Sequence, residues 1–179
     1  MNKLKLHLGC GNKHIEGYIN IDVRYIPGVD AVDNIKYLRS YKMSSVSTIY
    51  ASHVLEHFSR WEYKDVLKRW YEILTPGGEL RIAVPDFEAI VEYYNNTRDL
   101  NAIRGLMYGG QDYNENFHYW CWDFVHLKKD LLDVGFSFVD RYDWRDTEHS
   151  LIDDFSQSYI PHLEKETGKL MSLNICAKK

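Results

Sequence analysis

Short apolar runs bounded by turn residues are the feature that most constrains the fold of this chain. Four of them span residues 4–8, 18–23, 47–51 and 79–84, and two more span 136–142 and 171–177. Runs of this length between Gly, Pro, Asn and Asp are typical of the buried strands of a parallel sheet. The sequence therefore predicts at least four strands in the first half of the chain and two near its end.

An amphipathic helix is predicted between the third and fourth runs. Ser59 and Glu62 have the spacing of a capping box. Apolar residues then repeat along one helical face: Tyr63, Val66, Leu67, Trp70 and Leu74. The turn at residues 75–78, Thr-Pro-Gly-Gly, predicts the end of this helix.

Two further helices and a shortened crossover complete the predicted fold. Asp86 can cap a helix that continues to about Asn95, and residues 127–134 form another that ends at Gly135. Residues 9–17 alone join the first strand to the second, fewer than the dozen or so of an ordinary parallel crossover, so its helix must be very short. The alternation predicts an α/β fold, a mostly parallel sheet with helices on both faces.

Length, charge and cysteine content narrow the class of protein. A chain of 179 residues predicts a single domain over 1–179, and irregular polar-aromatic segments at about 98–126 and 145–168 are predicted to cover the site. The net charge of −4 and the scattered basic residues argue against a nucleic-acid partner. Three widely spaced cysteines fit a reducing cytoplasm, and no apolar window is long enough for a membrane span or a signal peptide.

A glycine turn after the first strand predicts a ligand site. Gly9 and Gly11 lie where ligands bind in open parallel sheets, at the carboxyl ends of the strands. A dinucleotide fingerprint would need a third glycine at position 14, which is His14, so a nicotinamide cofactor is disfavoured. Asp22 ends the second strand, where a carboxylate can accept hydrogen bonds from ribose hydroxyls. Asp33, followed by Asn34, could receive an adenine amino group.

The order of the motifs resembles one family over nearly the whole chain. The motifs are "LHLGCG", "IDV", "VDNI", "IYASHVLEHF" and "LTPGGELRIAVPD", followed by "YGGQ…NFH", "LLDVGF" and "SLNICAKK". This order resembles the class I S-adenosylmethionine-dependent methyltransferases, which have a Rossmann-like fold. It is most similar to the small predicted methyltransferases of bacterial surface-polysaccharide biosynthesis clusters.

The resemblance implies S-adenosylmethionine as the cofactor and S-adenosylhomocysteine as the product. It places Gly9 and Gly11 at the methionyl part, Asp22 at the ribose and Asp33 at the adenine. The other predicted cofactor contacts are His7, Cys10, Asn34, Ser52 and His53. The family often has an acid at position 7 and a glycine at position 13, where this chain has His7 and Lys13. His7 either bonds the ammonium region of the cofactor in its neutral form or orients the loop.

The segment "HVLEH", residues 53–57, permits a rival chemistry. It matches H-x-x-E-H, a zinc-protease pattern in which two histidines one helical turn apart share a metal ion. The segment directly follows a strand-like run, and no downstream acid is marked as a third ligand. We therefore predict no metal site, and Glu56 and His57 can equally serve to satisfy backbone groups near a helix start.

Methyl transfer needs alignment of a nucleophile with the methyl group, and an alcohol acceptor must also lose its proton. His118 is the preferred base because "NFH" matches the family pattern, and His53 is the second candidate. A packed, structural His118 is the alternative. Polar and aromatic neighbours predicted to bind the acceptor are Gln111, Asn116, Tyr119 and Trp120.

The resemblance predicts an O-methyltransferase that acts on a small sugar or nucleotide-linked precursor of a capsule or other surface polysaccharide. A non-catalytic S-adenosylmethionine-binding partner subunit is the alternative. A late polar excursion either closes over the acceptor or forms a homodimer contact, and its candidate residues are His149, Asp153, Asp154, Tyr159 and His162.

Overall fold

A seven-stranded sheet forms the centre of the computed structural model, which describes residues 4–179. The strands and α-helices, in chain order, are β1 Lys5–Leu8, β2 Ile19–Asp22, β3 Ala31–Val32, β4 Val46–Ser52, α1 Tyr63–Ile73, β5 Leu74–Pro85, α2 Phe87–Thr97, α3 Arg104–Tyr108, α4 Phe124–Val134, β6 Phe138–Arg141, β7 Tyr159–Ile160, β8 Lys169–Leu170 and β9 Ser172–Lys178. Single 3₁₀ turns occur at Leu55–His57, Asn101–Ile103, Trp144–Asp146 and Phe155–Gln157.

The strand order of the sheet is β3-β2-β1-β4-β5-β9-β6. Neighbours from β3 to β5 pair in parallel, whereas β9 is antiparallel to both β5 and β6. The short strands β7 and β8 form a separate antiparallel pair. The predicted α/β fold with a mostly parallel, Rossmann-like sheet is confirmed.

One face of the sheet is apolar. Successive side chains of a strand point to opposite faces, so the two faces can differ in polarity. Its fully buried residues include Leu6, Leu8, Ile21, Ile49, Leu80, Ile82, Leu173 and Ile175. Helices α1 and α4 cover this face, and Val66, Leu67, Trp70, Leu127 and Leu131 of these helices belong to the same core. The apolar repeat that predicted α1 therefore corresponds to the side of the helix that is buried against the sheet.

The opposite face, here called the polar face, carries His7, Asn20, Tyr50, Arg81, Asn174 and Cys176. Residues 142–158 lie against it, with two 3₁₀ turns. The Tyr50 hydroxyl donates to Asp154 Oδ2 at 2.6 Å, and Asn174 Nδ2 donates to the Ser156 carbonyl at 2.9 Å. Hydrogen bonds hold this layer in place, together with the packing of Ile152 in a small cluster with Ile15, Tyr18 and Tyr50.

The first crossover differs from the prediction of a very short helix. Residues 9–18 form turns only, without a helical residue. The Asn20 side chain explains this, since its Oδ1 accepts from the Ile15 N–H at 2.9 Å and its Nδ2 donates to the Ile15 carbonyl at 3.3 Å. The Asn20 side chain of β2 thus provides hydrogen-bond partners for backbone groups that would otherwise be paired within a helical turn.

Element boundaries also differ from the sequence predictions. Helix α1 ends at Ile73, and the predicted turn at 75–78 belongs to β5, because the C-terminal residue pairs with it. The Gly77 N–H donates to the Lys179 carbonyl at 2.9 Å, and the Lys179 N–H donates to the Gly78 carbonyl at 3.0 Å. Helix α4 begins at Phe124 because Asp123 caps it by accepting from the His126 N–H.

Candidate functional site

The glycine turn lies at the carboxyl end of β1, packed against the chain that follows β4. Gly9 and Gly11 have φ values of +64° and +52°, in the left-handed region that favours glycine. A Cβ on Gly9 would lie 2.5 Å from Val54 Cγ2, whereas a Cβ on Gly11 would meet nothing within 4 Å. Gly9 therefore holds the turn closed against Val54, and the backbone at Gly11 faces open space that a ligand can occupy.

Cys10, between the two glycines, is a packing residue in this structure. Its N–H donates to the Ile21 carbonyl at 3.0 Å, which fastens the turn to β2. Burial raises the pKa of the Cys10 thiol to about 12. The thiol is accordingly neutral near pH 7 and is no nucleophile in this state.

Asp22 joins the glycine turn to the loop that follows α3. Its Oδ2 accepts from the Gly11 N–H at 2.9 Å, and its Oδ1 accepts from the Arg24 N–H at 2.9 Å. The Arg24 guanidinium also reaches Asp22 Oδ1 at 3.3 Å and lies 4.1 Å from the centre of the Tyr113 ring. Sequence reasoning found Asp22 and missed Arg24 and Tyr113, since no motif marks a cation–π contact between distant residues.

Two side-chain oxygens at this edge of the sheet need hydrogen-bond donors. Asp33 Oδ2, after β3, and Ser52 Oγ, at the end of β4, are buried and have no hydrogen-bond partner within residues 4–179. Asn34 is exposed, and its Oδ1 accepts from the Lys36 N–H in a local turn. Of the two predicted adenine contacts, Asp33 is thus the one whose side chain has an acceptor oxygen without a hydrogen-bond donor in the described residues.

His7 lies on the polar face below the glycine turn. Its Nδ1 is 3.1 Å from Asn20 Oδ1, so this nitrogen donates, and its ring centre is 5.2 Å from that of Tyr50. Burial lowers the pKa of His7 to about 4, which leaves the ring neutral near pH 7. Asn20 also holds Ile15, so this geometry favours the loop-orienting role of His7 over a direct cofactor contact.

His53 connects the end of β4 to a cluster of titratable side chains. Its φ is +51°, and its N–H donates to the Ala83 carbonyl of β5 at 2.8 Å. The ring lies with Nε2 3.2 Å from Ser172 Oγ and with its centre 5.3 Å from that of Phe155. Burial lowers the pKa of His53 to about 3, so the ring is a neutral hydrogen-bonding group near pH 7.

Glu56 carries a fully buried carboxyl group without a hydrogen-bond partner among residues 4–179. It is 0% exposed, and neither carboxyl oxygen has a hydrogen-bond partner in the described chain. His53 Nδ1 approaches Oε1 to 3.3 Å without the alignment of a hydrogen bond. Burial raises the pKa of Glu56 to about 8, because a lone buried carboxylate is strongly disfavoured.

His57 and His118 face Glu56 with their Nδ1 atoms bound elsewhere. His57 Nδ1 is 3.1 Å from the Phe117 carbonyl, and His118 Nδ1 is 2.8 Å from the Leu106 carbonyl. A carbonyl only accepts, so each Nδ1 carries the proton and each Nε2 carries a lone pair. Burial lowers the pKa of His57 to about 4 and moves that of His118 below its usual value.

The H-x-x-E-H arrangement of a zinc protease is not formed. In that pattern the two histidines lie on successive turns of one helix, whereas His53 has a left-handed backbone and Leu55–His57 is a single 3₁₀ turn. His57 instead converges with Glu56 and the distant His118: one ligand atom from each lies within 4.8 Å of the other two. From the sequence, backbone satisfaction was one of the open roles of Glu56 and His57, and nothing in the sequence shows where His118 folds back.

The loop that contains the predicted acceptor residues is fastened to this cluster. The Tyr119 N–H donates to the Glu56 carbonyl at 2.8 Å. Tyr119 itself is exposed, and Trp120 stacks on Tyr63 with ring centres 5.9 Å apart. Gln111 is exposed with φ +56°, and Asn116 Nδ2 is bound to Asp112 Oδ1. The backbone of Tyr119 therefore contacts the cluster, Trp120 packs on α1, and Gln111 and Asn116 shape the loop.

The late polar excursion lies mainly against the polar face. His149 stacks on Tyr50 with ring centres 4.0 Å apart, and Asp154 accepts from the Tyr50 hydroxyl. Of the other three candidates, Asp153 Oδ1 accepts from Lys165, Tyr159 is buried beside Trp144, and His162 is exposed. Phe155, which the sequence did not single out, is the residue of the excursion that contacts the His53 ring.

Comparisons with known proteins bear on the fold. A scan against protein-family models gives no match. A search of curated protein sequences gives no match either. Among residues 4–179, no helix is long and apolar enough to cross a membrane.

Solved structures, by contrast, resemble the chain over its full length. A SAM-dependent methyltransferase from Methanosarcina mazei is 19% identical, with a TM-score of 0.62 over 100% of this chain and 93% of its own. One from Archaeoglobus fulgidus is 17% identical, with a TM-score of 0.60 over 99% and 86%. A chain from the complex that contains the Haloferax volcanii Trm112 methyltransferase activator is 13% identical, with a TM-score of 0.58 over 99% and 82%. The fold is that of class I S-adenosylmethionine-dependent methyltransferases.

Proposed function

We propose that this protein transfers a methyl group from S-adenosylmethionine to a hydroxyl of a small polar acceptor. The observation that carries the proposal is the pair of buried acceptor oxygens, Asp33 Oδ2 and Ser52 Oγ, without partners in the described chain. Asp33 follows β3 and Ser52 ends β4, at the sheet edge that also presents Gly11 and Asp22. S-adenosylmethionine carries an adenine amino group, two ribose hydroxyls and an ammonium group, so its donors match these acceptors.

Different residues of this edge would contact different parts of the cofactor. The open backbone at Gly11 admits the methionyl part, and Asp22 accepts from the ribose hydroxyls with the lone pairs that Gly11 and Arg24 leave free. Asp33 Oδ2 accepts from the adenine amino group. Cys10 and His7 shape the turn, and Asn34 lies at its rim.

The cofactor supplies a methyl group on a positive sulfur, and the chain supplies alignment and a path for the acceptor proton. Ser52 and His53 end β4 beside the glycine turn, and His53 begins the cluster with Glu56, His57 and His118. We propose that this cluster activates the acceptor hydroxyl. In one form of that activation, His118 or His53 accepts the proton of the hydroxyl, as the sequence predicts.

We further propose that the acceptor is a sugar or nucleotide-linked precursor of a surface polysaccharide. The support is the motif resemblance and the exposed aromatic rings of Tyr119 and Trp120, which belong to the loop bound to the Glu56 carbonyl, since flat rings suit a sugar face.

Calorimetric titration with S-adenosylmethionine and S-adenosylhomocysteine, with NADH in parallel, tests the cofactor. We expect micromolar binding of both sulfur compounds and none of NADH. Asp22→Ala should weaken binding at least tenfold, because a hydrogen bond to a charged group contributes about 1.5–3 kcal/mol and 1.4 kcal/mol is tenfold. Asp65→Ala, an exposed aspartate on α1, is the matched control and should bind normally. Preference for NADH, or equal binding by the Asp22 and Asp65 variants, would contradict the proposal.

A cofactor-binding partner subunit without turnover is the second candidate. It is favoured by the structural likeness to a chain that was solved together with a methyltransferase activator. Both candidates predict the same Asp22-dependent binding, so methyl release separates them. Transfer of labelled methyl to a panel of sugar nucleotides indicates an enzyme, whereas binding without any transfer indicates the partner subunit.

A further inference from the structure

Glu56, His57 and His118, here called the triad, have the composition and geometry of a metal site. We infer that the triad binds one divalent transition-metal ion through a Glu56 carboxyl oxygen and the Nε2 atoms of His57 and His118. One ligand atom from each lies within 4.8 Å of the other two, and His118 Nε2 is 4.0 Å from Glu56 Oε1. Bonds of about 2.1 Å would bring these atoms closer by roughly an ångström, within the range of side-chain rotation.

The orientation of the two histidines supports a metal ion. Each Nδ1 donates to a backbone carbonyl, of Phe117 for His57 and of Leu106 for His118. Metal-bound histidines almost always donate their other ring nitrogen in this way, because the bond fixes the tautomer and the direction of the lone pair. In the triad, both lone pairs are therefore fixed before any ion binds.

The isolation of Glu56 is an independent observation. The side chain is fully buried, yet neither oxygen has a hydrogen-bond partner in residues 4–179. A buried acid without partners is costly, and a structural role would need a partner that satisfies it. A cation held between Glu56 and two neutral imidazoles supplies that partner.

The donor set indicates the class of ion. Two imidazole nitrogens with one carboxylate suit Zn²⁺, Co²⁺, Mn²⁺ or Fe²⁺, whereas Mg²⁺ and Ca²⁺ prefer oxygen ligands only. Three protein ligands leave a coordination position for water or an acceptor hydroxyl, as in catalytic rather than structural sites. The inference differs from the sequence prediction, which included no metal and made His118 a base.

This inference deepens the proposed function and rests on it for its chemical role. A hydroxyl bound at the open position would lose its proton to solvent water more readily, because the cation stabilises the alkoxide. The alkoxide oxygen then forms a bond to the methyl carbon while the carbon–sulfur bond breaks and sulfur keeps the electron pair. The products are the methyl ether, S-adenosylhomocysteine and one proton.

Titration of chelator-treated protein with Co²⁺ and Zn²⁺ tests the site directly. We expect one ion per chain by calorimetry, and Co²⁺ should give visible d–d absorption that Zn²⁺ abolishes. His57→Asn and His118→Asn keep an amide donor near the position of Nδ1 and remove Nε2. Each should weaken binding at least about tenfold, because the loss of a ligand should cost no less than the loss of a group that only orients one.

Glu56→Gln is the decisive variant, because it resembles the protonated acid and should fold as well as the unmodified chain while losing metal affinity. His126→Asn, at an exposed histidine beside Asp123, is the matched control and should bind as the unmodified chain does. Absence of Co²⁺ absorption, or full binding by Glu56→Gln, would overturn the inference.

Titration of the same samples with S-adenosylhomocysteine separates the two proposals. Cofactor binding without metal binding would reject the triad as a metal site and leave the proposed function intact. Metal binding without cofactor binding would retain the metal site and reject the methyltransferase function.

Discussion

The two faces of the central sheet are stabilised mainly by different interactions. Helices α1 and α4 cover the apolar face through fully buried aliphatic and aromatic side chains, whereas the polar face is held by directional hydrogen bonds from Tyr50, Asn20 and Asn174. Apolar burial is non-directional and scales with area, while a buried polar group is costly unless its partner is in place. We therefore expect the apolar face to supply most of the stability and the polar face to fix the position of the glycine turn.

Truncation on the apolar face should have the largest effect. Trp70 is 0% exposed, and its Nε1 donates to the Ile35 carbonyl at 2.8 Å. Trp70→Ala should lower the free energy of unfolding by about 3–5 kcal/mol in urea denaturation. Trp61→Ala, at a side chain that is 76% exposed, should change it by less than about 0.5 kcal/mol. Similar losses for the two variants would show that this face is not the main core.

Acidification should destabilise the polar face through His7. Its pKa is about 4 in the folded protein and about 6.5 when unfolded, so the unfolded chain binds more protons between these values. The contribution of His7 to stability is therefore fully present above pH 6.5 and is lost as the pH drops toward 4, by on the order of 3 kcal/mol. Denaturation at several pH values measures the slope.

His7→Asn isolates that contribution, because asparagine keeps a donor near the position of Nδ1 and does not titrate. The variant should lose less stability on acidification than the unmodified chain, while differing little from it at about pH 8. An unchanged slope would mean that His7 is already hydrated, or protonated with a partner, in the folded state.

Removal of one hydroxyl from the polar face should have the smallest effect. Tyr50→Phe deletes the hydrogen bond to Asp154 and leaves that oxygen without its partner, which should cost about 1–3 kcal/mol. Tyr37→Phe, at a side chain that is 44% exposed, is the control and should be neutral within about 0.5 kcal/mol. A neutral Tyr50→Phe would mean that the two faces differ less than their contacts suggest.

The strands and the first long helix were predictable because they rest on local patterns. Strands β1, β2, β4, β5 and β9 were predicted from short apolar runs, and α1 from its helical repeat. Strand β3, with only Ala31 and Val32, was too short to predict, although Asp33 after it was found through the motif. The start of α4 was missed because its cap, Asp123, lies in a polar-aromatic stretch without period.

The proximity of candidate residues could be predicted within local segments but not where distant segments meet. Gly9, Gly11 and Asp22 lie at the carboxyl ends of neighbouring strands, so the sheet itself brings them together. The pairing of Glu56 with His118 depends on a loop fastened by the Tyr119 N–H, a contact that no spacing encodes. His149 and Asp154 were recognised as polar candidates, but only the fold shows that they lie against the polar face.

The contact between Gly9 and Val54 has a consequence for how the two halves of the site respond to ligands. Because Val54 occupies the space where a Cβ of residue 9 would lie, the glycine turn packs directly against the segment that carries His53 and Glu56. If this contact transmits a change at one half to the other, thermodynamics requires the effects on the two binding free energies to be equal. Any enhancement of metal affinity by S-adenosylhomocysteine should thus match, factor for factor, the enhancement of its own affinity by the metal.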